Sequence, residues 1–253
     1  MGRQPPDVLV SQVPALRPLK RVGHKGADLI EPGNTPASFD AALAAGVDMI
    51  EFDVLPEDRH RVGAARLILA HDYSHDVHAA TSLEEGLAHL ASPAFDGIEL
   101  DVDLKLPGYE ARVVEALRAH GLVERSLVSS QHPESLAAVR ALEPRLRVGW
   151  SVPRARRDYT KSVLWVLPAL TGLALLKRLL PRQAARAVGE GRCDAMMVHQ
   201  RLISPALLRA VQGAGGELYA WTVDDAPTIR ALHAMGVDAV ITNDPRLFGE
   251  PLV

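Results

Sequence analysis

An α/β chain folded as a TIM (β/α)8 barrel is what the sequence predicts, and three observations predict it. Short apolar, β-branched runs alternate with Ala- and Leu-rich helical patterns along the chain, and there are eight such runs. No GxGxxG turn follows the first run. "HKGADL" stands there instead, so the doubly wound open sheet lacks its usual glycine-rich opening. The 253 residues also suit one large barrel, since barrels of this kind run to about 250 residues.

The predicted strands, in order, are Leu19–His24, Asp48–Val54, Gly97–Lys105, Ser126–Ser130, Leu146–Val152, Asp194–Gln200, Glu217–Val223 and Asp238–Asn243. Between them lie helical patterns such as "TPASFDAALAAG", "GYEARVVEALRAHG", "PESLAAVRALEP", "SPALLRAVQGAGG" and "APTIRALHAMG". Several close on glycine, the residue that most easily takes the left-handed turn ending a helix. Two connections are longer than the rest. The barrel is therefore predicted to carry a short insertion after strand 2, adding a strand and a helix, and a helical insertion after strand 5. Internal repeats, low-complexity tracts and linker-like runs are absent, which predicts a single domain over residues 1–253.

Composition excludes several classes. Apolar residues make up 47% and charged residues 23%, as in a globular chain rather than a disordered one. The net charge of -3 supplies no basic field for nucleic acid, so no nucleic-acid partner is expected. One cysteine, Cys193, rules out an internal disulfide. The N-terminus shows no signal-peptide pattern, and no run reaches the roughly 20 apolar residues of a spanning helix, so a cytoplasmic location is expected.

The second and third strands break the rule that apolar strands avoid carboxylates. Residues two apart on a strand share a face. Ile50, Phe52 and Val54 therefore point one way and Glu51 and Asp53 the other. The third strand repeats the pattern, with Glu99, Asp101, Asp103 and Lys105 opposite Ile98, Leu100, Val102 and Leu104. The apolar sets suit the helix-facing side of a barrel, which turns the acids toward its axis. Glu51, Asp53, Asp103 and Lys105 lie nearest the C-terminal ends of these strands, where barrels keep their chemistry. Buried acids repel one another unless paired. Two solutions are open: a divalent cation, Mg²⁺ or Ca²⁺ for an all-oxygen ligand set, or a salt-bridge net using Lys105 and Lys25, with Glu99 and Asp101 deeper in the barrel. His24 and His71 sit at strand-to-loop transitions, and two imidazoles can share acid and base work. Of the other histidines, His75, His78, His89, His120 and His233 read as surface or capping residues.

The run "HKGA…EPGNTPASFDAALAAGVDMIEFDV…LILAHD", with "TSLEEGL", "DLK", "AWTVDD" and "ITNDP" after it, resembles the glycerophosphodiester phosphodiesterase family. The resemblance covers nearly the whole chain. It implies a TIM barrel that hydrolyses glycerophosphodiesters, a small-molecule substrate, to sn-glycerol 3-phosphate and an alcohol with a divalent metal ion. In that family a glycerol hydroxyl is proposed to attack its own phosphorus, giving a cyclic phosphate that water opens. His24 and His71 match its acid–base histidines, and Glu51, Asp53 and Asp103 its metal ligands. Lys25 and Lys105 match groups that hold the phosphate, and Trp221 the aromatic bordering the glycerol pocket. Three positions depart from the pattern: Lys25 replaces arginine, Gly33 the glutamate of Pro-Glu-Asn-Thr, and Asp103 a glutamate. Asp103 also resembles the sphingomyelinase D barrels. The alternatives are thus a lysophospholipase D or sphingomyelinase D-like activity on lysolipids, or a non-catalytic phosphodiester-binding barrel.

Smaller signals complete the reading. Trp221 also fits simple barrel packing beside Tyr219 and Val223. Gln131, His132 and His199 are placed to line a pocket, and Asn34 and Thr35 to cap the first helix. The insert "SVLWVLPALTGLALLKRLLP" is apolar with basic flanks. It reads as a lid over the barrel, or as a peripheral membrane contact through residues 159–180. The oligomeric state is left open.

Overall fold

The structure is a computed structural model, and it describes residues 18–74, 76–153 and 166–249, the side chains of 166–174 excepted. Among these residues nine strands form one sheet: β1 (Lys20–Gly23), β2 (Met49–Pro56), β3 (Leu67–Leu69), β4 (Glu99–Leu104), β5 (Ser126–Ser130), β6 (Arg147–Val152), β7 (Ala195–His199), β8 (Glu217–Trp221) and β9 (Ala239–Thr242). Eight pair in parallel in the order β1, β9, β8, β7, β6, β5, β4, β2, and β1 pairs again with β2, so the barrel closes. The ninth, β3, adds antiparallel to the outer end of β2. It is the strand expected in the first long connection.

Among the described residues seven α-helices surround the barrel: α1 (Pro36–Ala44), α2 (Leu83–Leu90), α3 (Glu110–Ala119), α4 (Pro133–Leu142), α5 (Val166–Gly189), α6 (Pro205–Gly213) and α7 (Ala226–Met235). A single 3-10 turn, Pro245–Phe248, stands where an eighth would be. The helices begin where capping chemistry directs. Thr35 caps α1 in a reciprocal box with Ser38, followed by Pro36, and Ser82 caps α2 in the same way with Glu85. Thr35 thus caps as expected, whereas Asn34 is used elsewhere. The predicted strands all form, most of them shorter by a residue or two than their apolar runs. The helical insertion after the sixth strand in chain order, strand 5 of the barrel, appears as the 24-residue α5. The part of that insert over 154–165 lies outside the described residues.

Alternation builds the two faces. Ile50, Phe52, Val54, Leu100, Val102, Leu104, Val128, Val148, Met196, Val198 and Val240 belong to the apolar layer between barrel and helices. The inner face is stratified. Lys20, Glu99, Arg147, Glu217 and Tyr219 form a polar plug near the N-terminal ends of the strands, with Lys20 2.8 Å from Glu99 and the Tyr219 hydroxyl donating to Glu217 at 2.8 Å. Above it come Val22, Met49, Leu127, Ala195, Met197, Ala239 and Ile241, packed as an inner core. The acids of β2 and β4 cap this stack.

One buried tyrosine ties the end of β4 to β2. Tyr109, 1% exposed, donates its hydroxyl to the Val54 carbonyl at 2.6 Å and accepts from the Lys105 and Leu106 backbone N–H groups. Removing the hydroxyl strands the Leu106 amide and leaves the Val54 carbonyl and the Lys105 amide only their own 3.3 Å contact, which costs about 1–3 kcal/mol. Tyr109→Phe is expected to lower the urea midpoint with an unchanged m-value; equal midpoints would remove Tyr109 from this role.

A second tie joins α3 to α4. Glu143 accepts from Arg145 at 2.9 Å and from Arg118 at 2.9 Å. These hydrogen bonds hold its carboxyl down at about 2, against an ordinary 4.5. A carboxyl depressed in the folded state stabilises it above the unfolded value and loses that contribution as pH falls from 4.5 toward 2. Glu143→Gln is expected to melt below the wild type near neutral pH. The two melting curves should converge on acidification through that window, and a gap independent of pH would contradict the assignment.

Candidate active site

The register of β2 and β4 makes the site. Glu51 pairs across with Asp101, and Asp53 with Asp103. Neighbouring strands lie about 4.8 Å apart, so four inward carboxylates stack in two adjacent rows. Glu51, Asp53 and Asp103 each present an oxygen within 4.8 Å of the others, the one such group of three among the described residues. Asp53 is fully buried and Glu51 nearly so. Lys105 bridges them, its ammonium ion-paired with Asp53 and 2.5 Å from Asp103. The second lysine of the expected net is engaged elsewhere: Lys25 Nζ lies 3.0 Å from Asp28.

Burial and competing charge set the proton states. Burial and the Asp53 carboxylate push the Glu51 carboxyl well above its ordinary range. Burial acts the same way on Asp53, but Lys105 and His71 outweigh it and hold that carboxyl well below. Burial disfavours the Lys105 ammonium, yet Asp103, Asp53 and Glu51 more than compensate and raise its pKa. Asp101, deep and hydrogen-bonded to Ser129, is pushed up to about 8 by burial. It stands apart from the plug that Glu99 joins.

Two imidazoles flank the acids. His24 directly follows β1, with Nε2 3.7 Å from Glu51 and Nδ1 2.5 Å from Asn243 Oδ1. Burial lowers its pKa. His71, two residues past β3, places Nδ1 3.3 Å from Asp53 and is half-exposed at the rim. The turn after His24 is shaped by conformation. Lys25 has φ 51° and Gly26 φ 85°, and the Lys25 amide so placed donates to Glu51 at 2.8 Å. A β-carbon on Gly26 would run into Ser38.

All eight expected residues gather at one cavity of about 280 Å³: His24, Lys25, Glu51, His71, Asp103, Lys105 and Trp221 line it, and Asp53 is buried against His71 and Lys105 of its wall. Trp221 packs on the inner core and also lines the cavity. Its wall is divided. β1, β2, β4 and the loop after β3 supply every charged group. The later strands supply Ser129, Ser151, Met197, Trp221 and Ile241, with Gln131 and Thr222 beside them. His132 is buried away from the cavity beside Glu134, and His199 packs edge-on against Trp221 at 5.3 Å. His78, His89 and His120 pair with Glu57, Asp40 and Glu84 away from the cavity. His233 lies on α7, and His75 is outside the described residues.

Three contributors escape the sequence reading. Asn34, in a left-handed conformation at φ 61°, donates Nδ2 to Asp53 at 2.9 Å and accepts from the Asp53 amide at 3.0 Å. It orients an acid rather than capping a helix. Asn243 and Asp224 stand behind His24. The glycine at 33 is also explained: its amide donates to Asp28 at 3.0 Å, and a side chain there would collide with that carboxylate. Asp28 occupies the space that a longer residue at 33 would need.

The residues fit a divalent cation. Asp103 Oδ1 is buried with no hydrogen-bond donor among the described residues. Three acids against one ammonium leave the cluster negative, and the ligand set is all oxygen.

Sequence and fold comparisons agree with this geometry. The model of the glycerophosphoryl diester phosphodiesterase family matches residues 103–247, more than half of the chain. A glycerophosphodiester phosphodiesterase of Arabidopsis thaliana is 31% identical over 167 residues, 66% of this chain, which spans only 44% of that plant protein. One from Caldanaerobacter subterraneus is 25% identical over 260 residues, covering 88% of this chain and 93% of the relative. In fold, the chain resembles an Oleispira antarctica phosphodiesterase solved with the product sn-glycerol-3-phosphate, with a TM-score of 0.62, 20% identity, and 91% and 94% of the two chains covered. On the family match, the closed barrel and the acids and imidazoles gathered at its mouth, the chain belongs to the glycerophosphoryl diester phosphodiesterase family.

Proposed function

We propose that this barrel hydrolyses glycerophosphodiesters to sn-glycerol 3-phosphate and an alcohol, with His24 and His71 as base and acid and with Glu51, Asp53 and Asp103 holding Mg²⁺ or Ca²⁺. The observation that carries the reading is convergence. Two imidazoles from different segments approach one acidic trio, at 3.7 Å and 3.3 Å, in a cavity that also holds Lys105. The product seen in the Oleispira antarctica phosphodiesterase supports a small glycerophosphate ligand in a barrel of this kind.

The cation, when bound, neutralises phosphate charge and favours departure of the alkoxide. The chain's own groups do the rest. Burial keeps the His24 ring neutral, so Nε2 can take the proton of the attacking glycerol hydroxyl. Its oxygen bonds to phosphorus as the ester P–O bond breaks, and His71 at the open rim gives the departing alcohol its proton. Water then opens the cyclic phosphate with the two rings in exchanged roles. Holding nucleophile and phosphorus in one molecule removes the entropy cost of meeting. Lys105 adds positive charge beside the phosphate, and the Lys25 side chain at the cavity edge is restrained by Asp28. Trp221 offers a flat apolar wall to the glycerol carbons.

A lipid-facing variant of the activity has its own support. Leu175 and Leu179 are exposed on α5. Lys177, Arg178 and Arg182 accompany them, and the helix contains no acidic residue. This suits peripheral contact with an anionic surface through the 159–180 insert. Among the described residues no helix is long and apolar enough to cross a membrane.

A coupled glycerol 3-phosphate assay across glycerophosphodiesters, run with Mg²⁺, Ca²⁺ or chelator, tests the reading. Turnover is expected with a cation and not with chelator, and His24→Ala or His71→Ala should lower kcat by about 10²–10⁴-fold. Full activity in chelator, or in either alanine variant, would refute the chemistry. Choline release from lysophosphatidylcholine vesicles with none from glycerophosphocholine would establish the lipid variant instead.

Cation binding can be read without activity. At about a hundred times Kd a ligand adds about 2.7 kcal/mol to the folded state. Ca²⁺ or Mg²⁺ is expected to raise the melting temperature of the wild type by several degrees and to leave Asp103→Asn unmoved. Equal responses of the two proteins would place the cation elsewhere.

A further inference from the structure

The "TVDD" and "TND" stretches near the C-terminus meet behind His24. The Asn243 side chain contacts two groups. Its Oδ1 lies 2.5 Å from His24 Nδ1, and its Nδ2 donates to Asp224 Oδ2 at 2.7 Å. Asp224 holds the same residue by the main chain as well, its Oδ1 accepting from the Asn243 amide at 2.8 Å and from the Thr242 hydroxyl at 3.0 Å. The His24 amide in turn donates to the Thr242 carbonyl at 2.8 Å. Three segments, the ends of β1 and β9 and the loop after β8, are thus locked at one point.

The direction of each hydrogen bond follows from chemistry. An ionised carboxylate only accepts. With its two oxygens engaged by Asn243 and Thr242, Asp224 requires the NH₂ end of the Asn243 amide to face it. Flipping that amide would set carbonyl oxygen against carboxylate oxygen at 2.7 Å. The carbonyl end therefore faces His24, where only a donor is tolerated, so Nδ1 must carry the ring proton. In a neutral imidazole the other nitrogen then presents its lone pair. That nitrogen, Nε2, looks toward Glu51 and the cavity.

We propose that Asp224 is a positioning residue for His24: by orienting the Asn243 amide it holds the ring in the Nδ1–H tautomer, with the Nε2 lone pair aimed into the cavity. The inference deepens the proposed hydrolysis and rests on His24 as its base. Asp224 is exposed and does not line the cavity, so it acts only through Asn243.

The test exchanges the two side chains. In Asp224→Asn a single carbonyl oxygen faces the two N–H donors of Asn243, and the orientation of the 243 amide is no longer enforced. In the double variant Asp224→Asn/Asn243→Asp, the new amide at 224 donates to one oxygen of the carboxylate at 243, and the other oxygen accepts the His24 Nδ1 proton. The chain's logic is restored with the groups reversed. The readout is the ¹⁵N spectrum of labelled histidine at about pH 8, where an ordinary imidazole is neutral, compared with a His24→Ala spectrum that assigns the signal.

The wild type and the double variant are expected to show a protonated Nδ1 and an unprotonated Nε2, and Asp224→Asn a mixture. In turnover, Asp224→Asn should lose about 10–100-fold in kcat with little change in KM, and the double variant should recover most of it. A wild-type tautomer pattern in Asp224→Asn, or a folded double variant without the Nδ1–H tautomer, would overturn the inference. If His24→Ala retains full kcat, the reading of the reaction fails, and the ¹⁵N patterns still decide the positioning role. Should Asp224→Asn not fold, the double variant decides it.

Discussion

The organising constraint of this molecule is like-charge repulsion at the mouth of the barrel. Parallel pairing of β2 with β4 places Glu51 beside Asp101 and Asp53 beside Asp103, and neither strand can slip by one residue without turning its apolar face inward. The acids are therefore held close by the same alternation that builds the core. Lys105 is the counter-charge supplied by the chain, and Tyr109 holds the backbone that carries it. Much of the surrounding loop structure answers to this cluster. The Lys25 amide and the Asn34 side chain both turn toward it from left-handed conformations that a β-carbon disfavours.

Much of this was legible in the chain before any fold was in hand. Period-two alternation in "DMIEFDV" and "GIELDVDLK" sorts inner from outer residues, because a half-charged strand has only one way to face a barrel. The first helix announced its start through Thr35-Pro36, where capping is local chemistry. Strand ends were less legible: Leu19 is buried just before β1 begins, and Val223, two residues past β8, is buried too and still donates its amide to the Ile241 carbonyl at 3.0 Å.

What stayed hidden in the site depends on contacts between distant segments. Asn34 reads as a cap, since Asn before a helix usually is one, and only the approach of β2 reveals its hold on Asp53. Asn243 and Asp224 lie two hundred residues or more from the ring they support, and nothing local in "ITNDP" points to a histidine. Gly33 shows the converse. Against a motif it looks like a lost carboxylate, while in space Asp28 fills the gap.

The divided cavity wall has an evolutionary corollary. Reactive groups come from the first half of the chain, and the neutral wall is contributed by strands from β5 onward. Genetic drift among the wall residues of the later strands, the Asn243 and Asp224 pair behind His24 excepted, can therefore reshape the berth for a new leaving group while the bond-breaking apparatus stays untouched. A barrel partitioned in this way is suited to acquiring unfamiliar esters one wall residue at a time.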